Sequence, residues 1–223
     1  MTDSDADVGD PADADSVVEA VFDAVAATAP EIRAALPGRR VKSGTENASG
    51  ESVMAGDLYA DELLGEAITA VEGVGSFVSE ERESAVDAGG AVGSGDDEAF
   101  AVAIDPLDGS SNLRSNNAMG TVVGVYDAPL PATGRDLVAA GYVLYGPITT
   151  MVVADESGVR EEVVEAESGG DGGGDDGPAV SRSVVEDDLR LPDDPLVYGF
   201  GGRIPDWPDA FTAYAREIED ELK

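Results

Sequence analysis

The residues best suited to chemistry lie in the stretch "AIDPLDGSSN", residues 103–112, which holds two aspartates. The apolar segment "AFAVAI" runs directly into Asp105, and Pro106 between the two acids predicts a turn. Such a turn would bring together the carboxylates of Asp105 and Asp108 and the carbonyl of Leu107. Oxygen ligands of this kind suit Mg²⁺ or Mn²⁺. An ordinary Asp-Gly turn after a core strand, with serine capping the next helix, explains the same residues without any chemistry.

Residues that could hold a phosphate group follow directly. Gly109 allows a close backbone approach, and the amides and hydroxyls of Ser110 and Ser111 can cradle phosphate oxygens where a helix begins. The chain contains no histidine and no cysteine, which excludes a serine-type triad, thiol chemistry and most zinc sites. A phosphatase that uses metal-activated water needs neither residue.

Two further groups of acids stand at the ends of predicted elements. Glu80 and Glu81 end the short strand "SFVSEE", and Asp57 opens the helix that follows a glycine-bearing loop. Each has an ordinary explanation: Ser79 as a helix N-cap followed by acids that complement the helix dipole, and Asp57 as a second N-cap. Since 47 of the 223 residues are acidic, no single pair carries weight. The combination with Asp105 favours a phosphatase that uses a hard cation.

These segments together resemble class I fructose-1,6-bisphosphatases, a family of Mg²⁺-dependent, lithium-sensitive phosphatases. "DPLDGSSN" is more similar to the signature of that family than to the "DPIDGTTN" of the inositol monophosphatase branch. "NASGESVMAGD", "VSEE" and "AAGYVLYGPITTMVVA" are similar to family segments in the same order. The resemblance covers about residues 16–223 and implies hydrolysis of the 1-phosphate of fructose 1,6-bisphosphate, a step of gluconeogenesis. Another sugar phosphate or an inositol phosphate is the alternative substrate.

The resemblance also implies roles for individual residues. The implied ligands of Mg²⁺, or of Mn²⁺, are four carboxylates and one carbonyl, from Glu80, Glu81, Asp105, Asp108 and Leu107. Asp57 and Glu81 look like the pair that helps to ligate metal and deprotonates the attacking water. The implied 1-phosphate segment is Asp108, Gly109, Ser110 and Ser111. Glu51 stands where the mobile loop of the family has an aspartate that closes over the metals.

The order of the elements predicts a layered α+β fold, because helices come first and strands dominate the middle. By resemblance, this is the helix/sheet sandwich of the sugar phosphatases. We expect a disordered acidic tail at 1–14, an N-terminal fructose-bisphosphatase domain at 15–195 and the start of a C-terminal domain at 196–223. Residues 167–178 are expected to form a flexible loop. Because family chains continue further, the second domain is expected to be largely missing, and an inactive copy that binds only metal or a full-length partner is the alternative to an enzyme.

Finer predictions concern individual elements. Pro30 and Pro37 are expected to bracket a second short helical piece after the first helix. Residues 83–98 read as an exposed linker, and the alternating "VREEVVE" as an edge strand. "LVYGFGG" reads as a further strand, and "WPDAFTAYAREIEDELK" as an amphipathic helix.

The charge of the chain limits its partners and its environment. The formal net charge is −34, from 47 acidic and 13 basic residues. That balance argues against binding nucleic acid or an anionic membrane. Concentrated salt would screen the self-repulsion, since the Debye length falls to roughly 3 Å at molar salt. Acids spread along the whole chain favour a halophilic protein over an ordinary domain with one acidic tail.

The location and the partners follow from the same features. No apolar stretch approaches the ~18 residues of a membrane span, and the acidic N-terminus is unlike a signal peptide. We therefore expect a soluble cytoplasmic protein whose partner is a small sugar phosphate. By analogy with the family, it would be a homo-oligomer.

Overall fold

The structure, a computed structural model, describes residues 14–46, 52–89, 92, 99–167, 179–193, 199–200 and 206–221. Its helices are α1 (Ala14–Ala35), α2 (Ala55–Thr69) and α3 (Asp209–Glu221). Its strands are β1 (Lys42–Glu46), β2 (Ser52–Met54), β3 (Val74–Ser79), β4 (Val86–Asp87), β5 (Phe100–Asp108), β6 (Met119–Tyr126), β7 (Leu137–Tyr145), β8 (Thr149–Asp155), β9 (Gly158–Ala166) and β10 (Val180–Glu186). The chain divides into two compact units, residues 1–188 and 189–223.

An eight-stranded sheet organises the first unit, in the order β10-β9-β8-β7-β6-β5-β3-β4. Its strands are rich in β-branched residues, and β6 alternates buried with more exposed positions, as a strand with one face on a core does. Strands β3 and β5 are parallel, whereas the other neighbours in this sheet are antiparallel. The parallel pair brings the C-terminal ends of β3 and β5 to the same edge of the sheet.

The core lies between this sheet and helices α1 and α2. Val17, Val21 and Val25 recur at helical spacing and bury one face of α1, together with Phe22. A Cβ at position 141 would lie 2.6 Å from Cε1 of Phe22, so Gly141 on β7 allows the ring to approach the sheet. Helices on a mixed sheet confirm the predicted layered α+β fold.

The prediction that Pro30 ends the first helix is wrong. Helix α1 continues through Pro30 to Ala35, and a short 3₁₀ turn, Leu36–Arg39, follows it. An internal proline costs a helix roughly 3 kcal/mol because it lacks an N–H and crowds the preceding turn. Ala29 and Ile32, on either side, are fully buried, and their packing offsets that cost.

Two strand predictions also need correction. "VREEVVE" lies in β9, which is not an edge strand, because β10 pairs with it on its far side. Within the predicted linker at 83–98, Val86 and Asp87 form β4 and pair with β3, since Val86 packs against the core. Residues 90, 91 and 93–98 of that linker lie outside the described residues. The glycine-bearing stretch before α2 includes the antiparallel pair of β1 and β2.

An ion-pair cluster around the buried Glu162 joins α1 to β9 and β10. Glu162 is 3% exposed and accepts hydrogen bonds from Arg160 Nε at 2.9 Å and from Arg182 Nε at 2.6 Å. Both arginines also contact Glu19 on α1, each at 2.7 Å. Full pairing with carboxylates is what makes it tolerable to bury two guanidinium groups.

The second unit contains α3 and a small aromatic cluster. Phe200, Trp207, Phe211 and Tyr214 meet mostly edge to face, with the ring centres of Trp207 and Phe211 4.9 Å apart. This is the amphipathic helix that the sequence predicts, although Leu222 of its apolar face lies outside the described residues.

Three predictions fall wholly or largely outside the described part of the chain. They are the tail at 1–14, of which only Ala14 is described and begins α1; the loop at 167–178, of which only Glu167 is described; and the strand "LVYGFGG", of which only 199 and 200 are described. The domain boundaries remain predictions. Among the described residues, no helix combines the length and the apolar character that crossing a membrane requires.

Candidate active site

A β-bulge places Asp105 and Asp108 on the same side of β5. The strand continues through both acids, so the predicted turn at Pro106 is wrong. Asp105 lies opposite Val122 of β6 and Asp108 opposite Gly120, so three steps along β5 match two along β6. In a regular strand, residues three apart face opposite sides, and the extra residue of a bulge corrects this. Both carboxylates therefore border one pocket.

Side-chain hydrogen bonds hold the bulge in shape. Thr121 Oγ1 donates to the carbonyl of Pro106 at 2.9 Å, and Tyr145 Oη in turn lies 2.9 Å from Thr121 Oγ1. Oδ1 of Asp105 accepts a hydrogen bond from the Leu107 amide at 3.0 Å. The bulge is thus tied to β6 and β7, which fixes the backbone that carries both acids.

Glu80 and Glu81 occupy the turn that follows β3. The Glu80 amide donates to the carbonyl of Ile104 on β5 at 3.1 Å, and the Glu81 amide donates to Ser79 Oγ at 3.3 Å. Because β3 and β5 are parallel neighbours, these acids lie beside the bulge. Ser79 ends a strand and caps no helix, so the N-cap explanation of "SEE" is wrong.

Asp57 is the third residue of α2 and is only 4% exposed. Its carboxylate accepts a hydrogen bond from the amide of Met54, which is the N-cap position, so Asp57 is not the N-cap itself. Burial raises the pKa of Asp57, and hydrogen bonds from Met54 and Ser110 only partly offset that effect. The bond from Ser110 links the start of α2 to the predicted phosphate segment.

Gly109 adopts the left-handed conformation, with φ of 73°, at the N-cap of a 3₁₀ turn, Ser110–Arg114. Glycine adopts this conformation without the strain that a Cβ introduces. The amides of Ser110 and Ser111 stand at the start of the turn, where backbone N–H groups have no partner within a helix. The helix start that the sequence predicts for phosphate binding is therefore this 3₁₀ turn.

One pocket of about 670 Å³ collects the predicted site residues that the structure describes. They are Asp57, Glu80, Glu81, Asp105, Leu107, Asp108, Gly109, Ser110 and Ser111. Glu51, the loop candidate, lies outside the described residues.

The acids of this pocket oppose each other's ionisation. Burial raises the pKa of Glu81 to about 7, and the negative charges of Asp57 and Glu80 add to the effect. Burial, and next the charge of Glu80, raise the pKa of Asp105. Oε2 of Glu81 is buried and has no hydrogen-bond partner among the described residues.

This set of donors fits a hard cation in its chemistry. Every side chain offered is a carboxylate, which is the ligand that Mg²⁺ and Mn²⁺ prefer. A cation would relieve the repulsion between the acids and give Glu81 Oε2 a partner. Within the part of the chain that the structure describes, however, no three acidic side chains are already gathered closely enough to hold a metal ion.

Two basic residues outside every predicted site motif also border the pocket, Lys42 and Arg114. Lys42 begins β1 opposite Met54, and Arg114 ends the 3₁₀ turn. A usable signal was present, since the chain holds only one other lysine, Lys223. A third missed feature is the ion pair of Arg82 and Asp61, which lies beside the acidic turn.

Comparison with known proteins gives a consistent relationship. The sequence model of "Fructose-1-6-bisphosphatase, N-terminal domain" matches residues 12–170. A class 1 fructose-1,6-bisphosphatase of Halobacterium salinarum is 52% identical over 207 residues, which are 93% of this chain and 66% of the relative. One from Natronomonas pharaonis is 51% identical over 208 residues, covering 92% and 66%. The chain thus spans slightly less than two thirds of the length of these relatives.

Solved structures agree on the fold. Leishmania major fructose-1,6-bisphosphatase in its holo form superposes with a TM-score of 0.59 at 24% identity, covering 69% of this chain and 52% of that one. A Toxoplasma gondii protein, provisionally named a sedoheptulose-1,7 bisphosphatase, gives the same TM-score at 25% identity, covering 79% and 56%. Since the family match spans well over half of the sequence, the chain belongs to the fructose-1,6-bisphosphatase family.

Proposed function

We propose that this chain hydrolyses the 1-phosphate of fructose 1,6-bisphosphate to fructose 6-phosphate and phosphate, with Mg²⁺ as its cofactor and Mn²⁺ as a substitute. The observation that carries the proposal is that five carboxylates and a Gly-Ser-Ser turn border one pocket. The names of the Halobacterium and Natronomonas relatives support the substrate.

Four acids and one carbonyl would hold the cation, from Glu80, Glu81, Asp105, Asp108 and Leu107. When bound, Mg²⁺ lowers the pKa of a water molecule and neutralises phosphate charge. The bulge supports this assignment, since it directs Asp105 and Asp108 into one pocket from a rigid strand.

The proton of the attacking water would pass to Glu81, assisted by Asp57. Glu81 supports this role because it borders the same pocket as Asp57, and its buried Oε2 has no hydrogen-bond partner among the described residues and is left to accept a proton. Asp57 accepts a hydrogen bond from Ser110. That contact would keep the base pair next to the phosphate segment.

The 1-phosphate would lie against Asp108, Gly109, Ser110 and Ser111. The left-handed Gly109 supports this role, because it turns the chain so that the following amides begin a new 3₁₀ turn. The same proposal carries the expectations of a salty cytoplasm, a place in gluconeogenesis and a homo-oligomeric state.

Replacing Asp105 by asparagine tests the proposal. The introduced amide would keep the shape of the side chain and an acceptor for the Leu107 amide but would lose the negative charge. We expect phosphate release to fall to near background, with the circular dichroism spectrum unchanged. The matched control is the same change at the exposed Asp193, which should retain activity.

The substrate class is tested with a panel of three phosphates, measuring released phosphate. Fructose 1,6-bisphosphate should be preferred over sedoheptulose 1,7-bisphosphate and an inositol monophosphate. Preference for either of the others would reassign the substrate within the same chemistry. Mg²⁺ binding without release from any of the three would favour the chain as a metal-binding copy that needs a full-length partner. Wild-type turnover in Asp105→Asn would contradict the metal site.

A further inference from the structure

The acidic turn after β3 is fastened at both of its ends. At the first end, the Glu80 amide donates to Ile104 on β5, and at the other, the Arg82 amide donates to the carbonyl of Ser79 at 3.2 Å. The side chain of Arg82 then leaves the sheet and reaches Asp61 on α2. The two acids between these ends, Glu80 and Glu81, are therefore held by contacts to two separate elements.

The contact between Arg82 and α2 is a three-point contact with one residue. Arg82 Nε lies 2.8 Å from Oδ2 and 3.1 Å from Oδ1 of Asp61, and Nη2 donates to the Asp61 carbonyl at 3.2 Å. The side chain of Asp61 is 11% exposed and that of Arg82 31%. Because Nη2 donates to the helix backbone itself, Arg82 links the turn to the main chain of α2 as well as to the side chain of Asp61.

The structure leaves space for this guanidinium at Gly65, one turn after Asp61. A Cβ at position 65 would lie 2.5 Å from Nη2 of Arg82. The ring of Phe77 lies 5.3 Å from the guanidinium carbon, within the range of a cation–π contact. Glycine inside a helix costs about 1 kcal/mol relative to alanine, and here its lack of a side chain accommodates the arginine.

Helix α2 also carries Asp57, one turn before Asp61, so the tie has a consequence for the pocket. We propose that Arg82 is a positioning residue that fixes Glu80 and Glu81 relative to Asp57 through Asp61 and α2. The inference deepens the proposed function and rests on it, since Arg82 would hold the cation ligands Glu80 and Glu81 in place and keep Glu81 beside Asp57, its proposed partner in accepting the proton of water. Arg82 itself does not border the pocket.

Replacing Arg82 by methionine distinguishes a positioning role from an effect of charge, because the two predict opposite changes in Mg²⁺ affinity. Removing a positive charge near a cation site should strengthen Mg²⁺ binding if charge alone mattered. Losing a positioning contact should weaken Mg²⁺ binding by about tenfold. This is the lower end of the effect on metal affinity when a residue that supports a metal ligand is mutated. Isothermal titration calorimetry with Mg²⁺, on the folded full chain in high salt, gives the dissociation constant directly.

Two further variants keep the charge and disturb only the geometry. Gly65→Ala should displace the guanidinium while favouring the helix, so we expect weaker Mg²⁺ binding without loss of thermal stability. Arg82→Lys keeps the charge and loses the fork, and it should weaken Mg²⁺ binding less than Arg82→Met does. The matched control is Arg182→Met, which breaks a buried ion-pair cluster across the sheet. It should lower thermal stability and leave Mg²⁺ affinity unchanged.

The outcomes distinguish this inference from the proposed function. Equal or tighter Mg²⁺ binding in Arg82→Met, with wild-type protein binding normally, overturns the positioning role and leaves the phosphatase proposal standing. Weakening of equal size in Arg182→Met shows a general effect of instability and also overturns it. If wild-type protein binds neither Mg²⁺ nor Mn²⁺, both the proposed function and the inference fail.

Discussion

Carboxylates crowded into one pocket are costly to a protein unless something neutralises them. Glu81 illustrates the cost, since one of its oxygens is buried without a hydrogen-bond partner among the described residues and its pKa is raised to about 7 by burial and by neighbouring acids. A structural role would favour pairing with arginine, as happens around Glu162. The proposed cation site would account for the arrangement at Glu81, because repulsion between the ligands is relieved on binding.

Lys42 and Arg114 are the residues for which a role in substrate binding can be tested independently of the metal. Side chains three apart on a 3₁₀ turn lie on the same side, so Arg114 stands beside Ser111. We predict that Lys42→Gln and Arg114→Gln each raise KM for the sugar bisphosphate several-fold with little change in kcat. The effect is modest because an exposed ion pair contributes at most about 1 kcal/mol.

The control for this prediction is Arg135→Gln, which makes the same change of charge at an exposed position in the loop between β6 and β7. Inhibition by inorganic phosphate should weaken in the Lys42 and Arg114 variants and stay at the wild-type level in the control. An equal shift in all three would assign the effect to net charge and remove the specific role.

At the scale of elements, the site depends on three structural features that come from different parts of the chain. The parallel pairing of β3 with β5 brings the turn at Glu80 to the bulge, and the first turn of α2 adds Asp57. The hairpin of β1 and β2 supplies Lys42. Since the core packs α2 against the same sheet, the stability of the sandwich and the geometry of the pocket are coupled.

The ion-pair cluster on β9 and β10 predicts how the stability of these elements depends on pH. Burial alone would raise the pKa of Glu162, but hydrogen bonds from Arg182 and Arg160 outweigh it and lower the pKa below its ordinary value of 4.5. Glu162 therefore stabilises the fold above pH 4.5, and this contribution disappears as pH falls through the lowered pKa. We predict that Glu162→Gln lowers the free energy of unfolding at neutral pH by roughly 2–3 kcal/mol. This lies at or below the usual cost of breaking a buried pair, because Glu19 still contacts both arginines.

Urea unfolding of both proteins in high salt, from neutral to acidic pH, measures this difference. The gap between wild type and Glu162→Gln should narrow once pH falls below the ordinary pKa of the glutamate. A gap that stays constant at every pH would mean that the carboxylate charge contributes nothing there and that the loss comes from packing.

At the scale of the whole molecule, the net charge of −34 is the dominant physical fact. The carboxylates repel one another far more strongly in the compact state than in the expanded chain, which destabilises the fold. Dissolved salt screens this repulsion. We predict that circular dichroism and tryptophan fluorescence report loss of structure as KCl is removed at neutral pH, and recovery when it is restored.

Mild acidification distinguishes the screening of carboxylate repulsion from other effects of salt on folding. Protonating carboxylates lowers the charge, so the KCl concentration at the midpoint of folding should fall as pH is lowered from neutral toward the sequence pI of about 4.1. Complete folding in dilute buffer at neutral pH would contradict the halophilic interpretation.

Sequence by itself determined which kinds of catalytic chemistry the chain can perform and where most of its helices and strands lie. Composition excluded histidine and cysteine mechanisms, apolar periodicity located the helices, the run "AFAVAI" located β5, and "DPLDGSSN" pointed to the family and to Asp105 and Asp108. These are properties of residue type and of local spacing, which a sequence displays directly. The expectation that a proline ends a helix fails at Pro30, because buried neighbours on both sides stabilise the helix through that position.

Tertiary structure alone decided how those residues meet. The bulge that aligns Asp105 with Asp108 exists only through its register with β6, and the tie from Arg82 to Asp61 needs both the parallel strands and the space at Gly65. Lys42 joins the pocket only because β1 pairs with β2 ahead of α2. The physical reason is that strand register, bulges and ion pairs depend on contacts between residues distant in the chain, and local periodicity carries no record of those partners.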